Sequence, residues 1–325
     1  MDANDTPDST PRPTARDAAR AVRAYLGLDA VRIERFPTGL CHYVYDVTTA
    51  DGRQVVARLA TEETRDQLAG GVYWHARLRG VGAPLPALYA AHLDPAEGFP
   101  VMLLERLPGQ DLGLVYERMS RDQWLALAAR IVELQRAVAT LPHASGFGYA
   151  LSYEDERLHA SWLDVVLAEV ERSRQRILAA GVVAPDWAEH TRARVLEQRD
   201  YLLSVAPIAF LDDTTTKNVL IHEGALSGVV DTDVVCFGDP LFTLALTRVA
   251  LLAHQLDPDY ADHWRELLRL DDARQAALAL YTAVFCLTFL GEIGQRFNRD
   301  EPVSVDRAYQ RRLEATLNGL LNGKE

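Results

Sequence analysis

Three polar residues between positions 208 and 240 have the types and spacing that phosphoryl transfer requires. Four residues separate Asp213 from Asn218, and Asp231 lies in a second acidic segment further along the chain. Phosphoryl transfer needs a carboxylate that orients the attacking hydroxyl and Mg²⁺ that bridges the phosphates. Mg²⁺ takes one or two carboxylates together with phosphate oxygens and water. We therefore predict Asp213 as the catalytic base and Asn218 and Asp231 as metal ligands.

Short apolar segments should hold these residues in place. Three such segments are predicted to be strands, namely Ile208–Leu211, Val219–Ile221 and Leu226–Val230. With a turn at residues 222–224, they give the order strand, acidic loop, hairpin, acidic loop. This order would place the polar groups at one end of a small sheet. A single Asp-x4-Asn is most simply interpreted as turn and capping residues. Two such loops, each preceded by an apolar segment, favour the catalytic interpretation.

The stretch resembles the signature of the aminoglycoside phosphotransferase and choline kinase family, within the protein-kinase-like superfamily. The usual catalytic run of that family is His-Gly-Asp-x4-Asn, and its metal loop is followed by Gly-Asp-Pro. The matching positions here are Leu211-Asp212-Asp213, Asn218, Val230-Asp231 and Gly238-Asp239-Pro240. Leu211 and Asp212 thus replace the family's His and Gly, which affects loop support more than the reacting groups.

The resemblance implies an α+β, protein-kinase-like bilobal fold. Its N-terminal lobe would have a five-stranded antiparallel sheet and one long helix, and its C-terminal lobe would be mainly helical. The chain pattern agrees, with strands predicted at 31–37, 43–49, 54–60, 85–92 and 100–106, and the helix at 61–82. We predict a disordered tail at 1–12, a nucleotide-binding lobe at 13–107 and a catalytic and substrate lobe at 108–325.

Several residues of the first lobe are expected to bind nucleotide. The resemblance implies that Arg58, on the third strand, faces the α- and β-phosphates, for which its planar, charged guanidinium is suited. It also implies that Thr38 and Gly39 lie in the phosphate-covering loop and that backbone groups of Glu105 and Leu107 hold adenine. Taken alone, the loop at 38–42 is an ordinary hairpin and Arg58 a solvent-facing residue.

One feature of the family is missing from this lobe. Many relatives carry a Glu on the long helix that pairs with the strand cation, and the matching position falls near Gly71. Glu62 and Glu63 are the candidates to replace it, and the sequence does not decide between them.

The second lobe is predicted to be helical outside the acidic loops. Apolar spacing and capping residues predict helices at 120–141, 160–180, 187–204, 241–255, 261–269, 272–297 and 305–321. The longest apolar stretch, Ala276–Leu290, is interpreted as a buried helix too short to span a bilayer.

Four residues near the loops have two open interpretations. Asp233 could bind metal or substrate, or be structural. Lys217 could neutralise charge near the transferred phosphate or be solvated. Glu292 could contact the acceptor or lie on the surface. Asp212 is expected to brace the loop, and the alternative is that it, rather than Asp213, is the base.

Composition limits the partners. The net charge of −12 argues against nucleic acid and is compatible with a cationic acceptor, although an acidic surface commonly serves solubility. The three cysteines are far apart, which favours reduced thiols in the cytoplasm, and the polar N-terminus lacks a signal core. No membrane partner is expected.

These observations together predict an ATP- or GTP-dependent O-phosphotransferase that uses Mg²⁺ and acts on a small molecule with a hydroxyl group. The alternative is a non-catalytic nucleotide-binding regulatory protein of the same fold. Leu211 in the catalytic run and the missing helix Glu favour that alternative. The complete set of Asp213, Asn218 and Asp231 favours the enzyme.

Overall fold

The computed structural model describes residues 11–36, 42–295 and 304–323. The chain divides into two compact units. The first comprises Met1–Val72 and Pro86–Arg106, and the second comprises Tyr73–Leu85 and Leu107–Glu325.

The first unit contains a five-stranded antiparallel sheet, as predicted. Its strands are β1 (Ala30–Arg35), β2 (Tyr43–Thr49), β3 (Gln54–Leu59), β4 (Leu88–His92) and β5 (Val101–Glu105). Their spatial order is β1-β2-β3-β5-β4, and every neighbouring pair is antiparallel. Alternate residues of β2 are buried, and they pack with Ala18 and Val22 of helix α1 (Ala15–Leu26). The period-2 burial of β2 is the pattern of a half-buried strand.

Two elements near this sheet begin later than predicted. The long helix α2 (Arg65–Gly80) follows a 3₁₀ turn at Glu62–Thr64, in which the side chains of Thr61 and Thr64 cap each other's backbone. Strand β4 begins at Leu88 rather than residue 85. Pro84 and Pro86 account for this, because proline lacks the N–H that a ladder requires.

The second unit is mainly helical. Its helices are α3 (Leu112–Val115), α4 (Arg121–Val138), α5 (Trp162–Ala180), α6 (Asp186–Glu197), α7 (Arg199–Ser204), α8 (Leu241–Ala253), α9 (Asp259–Leu268), α10 (Asp272–Glu292) and α11 (Arg307–Leu321). Ser120 caps α4 through the Gln123 N–H, in a capping box. The single helix predicted at 187–204 is wrong, since the chain leaves helical geometry at Gln198, between α6 and α7.

Two three-stranded sheets lie within the second unit, where one small sheet was predicted. Strands β6 (Gln110–Asp111), β9 (Val219–His222) and β10 (Ala225–Val229) form one, in the order β10-β9-β6. Strands β7 (Gly148–Ala150), β8 (Ile208–Phe210) and β11 (Val235–Gly238) form the other, in the order β7-β11-β8. The strand before the first acidic loop therefore belongs to a different sheet from the hairpin after it.

Helix α10 is the centre of the helical core. It packs against α5, α8 and α11, and thirteen of its residues, between Ala277 and Gly291, are buried. In the parts of the chain that the structure describes, it is the one helix long and apolar enough to cross a membrane, by length and composition alone. The prediction that this helix is too short to span a bilayer was therefore wrong, because the helix has 21 residues. The predicted buried helix is confirmed, because 67% of its apolar window lies inside the protein.

Candidate active site

Hydrogen bonds within the first acidic loop hold Asp213 in position. The loop begins where β8 ends at Phe210, and Asp213 is exposed at its surface. The Thr215 hydroxyl donates to Asp213 Oδ1 at 2.6 Å, and Asn218 Nδ2 donates to the Asp213 carbonyl oxygen at 3.0 Å. These bonds leave the second carboxylate oxygen of Asp213 and the side-chain oxygen of Asn218 as the groups that could meet ligands.

The second acidic loop lies directly beside the first. Val219 of β9 pairs with Val229 of β10, and the next residue, Val230, donates its N–H to the Asn218 carbonyl oxygen at 3.0 Å. Asp231 follows immediately. The structure thus brings Asp213, Asn218 and Asp231 together in two adjoining loops, although β8 and the hairpin belong to different sheets.

Asp231 has an uncommon backbone conformation. Its φ is +60°, in the left-handed region, which Asp and Asn enter more readily than other non-glycine residues. Backbone geometry of this kind concentrates at functional sites, where the surrounding structure supports it. The side chain is exposed, so its carboxylate can reach a ligand.

Asp239 braces the segment that follows the second loop. Its Oδ2 accepts hydrogen bonds from Tyr201 at 2.7 Å and Tyr281 at 3.0 Å, and its Oδ1 accepts the Leu241 N–H at the start of α8. Tyr281 also accepts a bond from Trp162 Nε1 at 2.8 Å. Asp239 is buried, and all of these contacts are structural.

Asp212 differs from the aspartate beside it. Burial is the main cause that raises the pKa of the Asp212 carboxyl to about 7, and the negative charges of Asp213 and Glu169 contribute to the same increase. Glu169 lies on α5, where it pairs with Arg172, and burial raises its pKa as well. The family glycine is thus replaced by a carboxyl group that holds its proton up to near-neutral pH.

Glu292 lies close enough to Lys217 and to Asp213 to interact with both electrostatically. Partial burial raises the pKa of Glu292, and the negative charge of Asp213 adds to this increase. The positive charges of Lys217, Arg176 and Arg172 oppose it. Arg176 of α5 lies 3.9 Å from the Glu292 carboxylate, which stands at the end of α10. Lys217 is exposed within the first loop, and Asp233 is partly buried within the second. Glu292 is therefore the predicted acceptor contact that the structure links to both Lys217 and Asp213.

The predicted nucleotide-binding residues are divided between the two units. Arg58 is buried on β3, where its backbone pairs with Met102 of β5. The Glu105 N–H and carboxylate both bond to the backbone of Ala87, at 2.8 and 2.9 Å, which restricts the predicted adenine contact at Glu105 to its carbonyl oxygen. Thr38 and Gly39 lie outside the described residues.

The structure also shows the contacts of Glu62, a predicted partner of Arg58, and of Leu107, a predicted adenine contact. Glu62, one of the two candidates to pair with Arg58, lies 3.3 Å from Arg65. Leu107 packs where Gly228 approaches, since a Cβ at Gly228 would lie 2.5 Å from Leu107 Cδ1 and from the Pro84 carbonyl oxygen. The hairpin therefore needs glycine at this position.

The sequence interpretation missed two residues that hold the first loop. Thr215 bonds to Asp213 two residues earlier, a local pattern typical of Ser and Thr that the run of three threonines could have suggested. Gln135 of α4 bonds to the backbone of Leu211, with which it shares no local motif. No sequence signal points to Gln135, because the contact joins segments far apart in the chain.

Comparison with known proteins places the chain in a family. The model of the phosphotransferase enzyme family, APH, matches residues 32–281. A comparison with curated proteins gave no match.

Solved structures share the fold at low sequence identity. A thermostable mutant of aminoglycoside phosphotransferase APH(4)-Ia is 16% identical, with a TM-score of 0.67 over 94% of this chain and 98% of that one. A fructosamine-3-kinase from Thermobifida fusca YX-ER1, named as putative, is 16% identical, with a TM-score of 0.59 over 94% and 98%. The streptomycin–ATP–APH(2″)-IIa complex is 12% identical, with a TM-score of 0.63 over 95% and 97%.

These likenesses confirm the predicted kinase-like α+β fold. The family match is independent of them and extends from β1 into α10. Because it covers more than half of the 325 residues, the chain belongs to the phosphotransferase enzyme family.

Proposed function

We propose that the protein transfers the γ-phosphate of ATP or GTP to a hydroxyl group of a small molecule. The observation that supports this most directly is the junction of the two acidic loops. The Asn218 side chain bonds to Asp213 while its backbone carbonyl accepts the Val230 N–H, next to Asp231. A base and two oxygen ligands are the set that phosphoryl transfer uses.

Asp213 is proposed to orient the acceptor hydroxyl and to take its proton. Thr215 holds one carboxylate oxygen, which fixes the direction of the other. The residue is exposed, so an acceptor can approach it. A general base must lie within hydrogen-bond reach of the proton that it removes. The proton would move from the acceptor hydroxyl to Asp213 as that oxygen bonds to phosphorus and ADP or GDP leaves.

The oxygen ligands in the two loops fit Mg²⁺. The Asn218 nitrogen is bonded within the loop, which leaves its side-chain oxygen as the atom that would bind the metal, and Asp231 offers an exposed carboxylate. In the described ranges, no group of three or more His, Cys, Asp or Glu side chains could hold a metal ion. One carboxylate and one carboxamide oxygen suit Mg²⁺, which takes its remaining ligands from phosphate oxygens and water. Bound there with the nucleotide, Mg²⁺ would neutralise charge on the phosphates.

The predicted residues are proposed to bind different parts of the nucleotide. Arg58 would bind the α- and β-phosphates through its guanidinium group. Backbone groups of Glu105 and Leu107 would hold adenine, and Thr38 and Gly39 would cover the phosphates.

The acceptor is proposed to bind beside Asp213, with Lys217, Asp233 and Glu292 as contacts. The net charge of −12 and the carboxylates of Asp233 and Glu292 are compatible with a cationic acceptor. The name of one solved neighbour includes streptomycin and ATP, which supports including aminoglycosides among the acceptors to test. We propose a cytoplasmic protein that acts without nucleic acid or membrane partners.

A phosphorylation screen tests the proposal. Purified protein would be incubated with Mg²⁺, with ATP or GTP, and with a panel of hydroxylated compounds that includes aminoglycosides, amino sugars and neutral polyols. Transfer of the γ-phosphate to any of them, lost in Asp213→Asn, is the expected result. Nucleotide binding without transfer or hydrolysis would instead support the non-catalytic regulatory protein.

Nucleotide binding is expected to require a divalent metal. Asn218 and Asp231 cannot complete an octahedral shell without phosphate oxygens, so metal and nucleotide should bind together. ATP should therefore raise the melting temperature in Mg²⁺ and raise it far less in EDTA, because a ligand stabilises only the state that it binds. Equal stabilisation in both buffers would contradict the metal assignment.

Arg58→Ala is expected to weaken productive ATP binding by about 10–100-fold, the range for hydrogen bonds to charged groups. Arg58→Lys should retain part of the affinity, since the charge survives but the planar fork is lost. Nucleotide titration and kcat/KM of the three proteins would measure this. Arg53→Ala is a matched control, because Arg53 is an exposed arginine in the turn before β3 that pairs with Asp51. Wild-type turnover in Arg58→Ala would rule out the phosphate contact.

A further inference from the structure

We propose that Gln135, on helix α4, positions the catalytic loop for phosphoryl transfer. This inference rests on the proposed function of Asp213. The loop begins with Leu211, whose apolar side chain cannot donate or accept a hydrogen bond. Polar support for the start of the loop must therefore come from another element, and α4 supplies it.

The Gln135 carboxamide forms two hydrogen bonds with the backbone of a single residue. Its Oε1 accepts the Leu211 N–H at 3.0 Å, and its Nε2 donates to the Leu211 carbonyl oxygen at 2.7 Å. Paired bonds of this kind join opposite residues of an antiparallel ladder. Strand β8 ends at Phe210, so the carboxamide extends its hydrogen bonding by one residue. Leu211 is thereby fixed two residues before Asp213.

A third hydrogen bond reaches the far side of Asp213. Gln135 Nε2 also donates to Thr214 Oγ1 at 3.0 Å, and Thr214 Oγ1 lies 3.2 Å from Thr243 Oγ1 on α8. The same carboxamide therefore holds the residues at 211 and 214, which bracket Asp212 and Asp213. Because α8 begins just after Asp239, the contact to Thr243 also links the loop to the helix behind the second acidic segment.

Because the three bonded residues are buried, loss of these hydrogen bonds would be costly. Gln135, Leu211 and Thr214 are all buried, at 7%, 3% and 2% exposure. The carboxamide uses both N–H donors and its oxygen, so its hydrogen-bonding capacity is nearly filled. Without it, the buried N–H and carbonyl of Leu211 would lose this partner, the Thr214 hydroxyl would keep only its contact with Thr243, and the loop would have to rearrange to recover the lost bonds. A rearrangement of 1 Å at a reacting group can cost about 100-fold in rate.

Gln135→Leu tests the proposal directly. The probe is MgATP hydrolysis with water as acceptor, so that no acceptor needs to be known. We expect kcat to fall by about 10–100-fold while KM for ATP stays within about twofold, because the change displaces Asp213 and leaves the nucleotide contacts in place. Wild-type kcat in a folded Gln135→Leu protein would overturn the proposal.

Gln310→Leu is the matched control. Gln310 is a buried glutamine at 8% exposure on α11, and it bonds to Glu314 and the Val182 carbonyl, outside both acidic loops. The same substitution there should lower the melting temperature without changing kcat. An equal fall of kcat in the control would assign the effect of Gln135→Leu to general destabilisation and overturn the positioning role.

Two milder variants keep the test decisive should Gln135→Leu fail to fold. Ionised Gln135→Glu can still accept the Leu211 N–H but cannot donate to Leu211 or Thr214, and Thr214→Val removes the third bond together with the Thr214–Thr243 contact. Both should lower kcat, with the greater loss in Gln135→Glu, and the loss in the double variant should be smaller than the product of the two single losses, because both changes remove the bond between Gln135 and Thr214. Hydrogen exchange of the amides at 211–218 should accelerate in parallel. Unchanged kcat and exchange in both variants would overturn the proposal.

The proposed function fails in a distinguishable way. If hydrolysis by the wild-type protein does not depend on Asp213, the catalytic assignment and the role of Gln135 fall together. If hydrolysis depends on Asp213 but not on Gln135, only the positioning role fails.

Discussion

Asp213→Asn is expected to reduce phosphoryl transfer by about 10²–10⁴-fold, the usual contribution of a positioned general base. Asparagine retains an oxygen that can accept the Thr215 hydroxyl, so the loop should keep its shape. It cannot take a proton from the acceptor. Nucleotide affinity should remain close to that of the wild-type protein, because Asp213 is assigned to the hydroxyl rather than to the metal. Single-turnover transfer and a nucleotide titration would measure the two effects separately.

Asp212→Asn is the matched control, since it makes the same change one residue earlier. Burial, Asp213 and Glu169 raise the pKa of the Asp212 carboxyl to about 7, so the carboxyl is largely protonated below that pH. A neutral amide resembles this protonated form. We therefore expect Asp212→Asn to transfer phosphate at nearly the wild-type rate at pH 6. An inactive Asp212→Asn beside an active Asp213→Asn would place the base at Asp212.

The elements of the first unit could be predicted because each strand carries its own local signal. Strand β2 alternates buried and partly buried residues from Tyr43 to Thr49, and Asp51-Gly52 marks the turn to β3. Gly52 has a φ of +84°, which glycine adopts without strain. Side-chain alternation and turn chemistry act over a few residues, so the sequence contains them in full.

The small strands of the second unit could not be predicted in this way. Strand β6 has two residues and β7 has three, too few to show a period. Strand β11, Val235–Gly238, is fully buried and consequently does not alternate. Their pairing depends on partners distant in the chain, such as Cys236 with Phe210 and Tyr149. Tertiary contacts therefore determine which sheet β8 joins.

In the candidate site, too, local sequence predicted the residues of the loops but not the contacts that distant segments make with them. The types and spacing of Asp213, Asn218 and Asp231 pointed to one site, and the loops that contain them are adjacent in the structure. The sequence contains no signal for Gln135, because its hydrogen bonds to the loop depend on how close α4 lies to the loop in the folded protein. The raised pKa of Asp212 could not be predicted from the sequence either, since it depends on burial and on Glu169 of α5.

Asp231→Asn is expected to impair metal-dependent nucleotide binding as well as transfer, which distinguishes it from Asp213→Asn. Loss of even an outer-shell partner typically lowers metal affinity about 10–100-fold, and loss of a charged ligand should cost at least as much. The fold should survive, because asparagine enters the left-handed region as readily as aspartate and the φ of +60° is retained. Titration of nucleotide at several Mg²⁺ concentrations would show the loss as a requirement for more metal.

Asp233→Asn is the control for this change, because it lies two residues further along the same loop and is partly buried. If Asp233 is structural or contacts only the acceptor, its variant should bind MgATP at wild-type Mg²⁺ concentrations. If both variants require more Mg²⁺, the metal has two carboxylate ligands from this loop, which Mg²⁺ accepts. Unchanged Mg²⁺ dependence in Asp231→Asn, with its melting temperature preserved, would remove Asp231 from the metal site. The charge that neutralises the phosphates would then have to come from side chains such as Arg58 and Lys217.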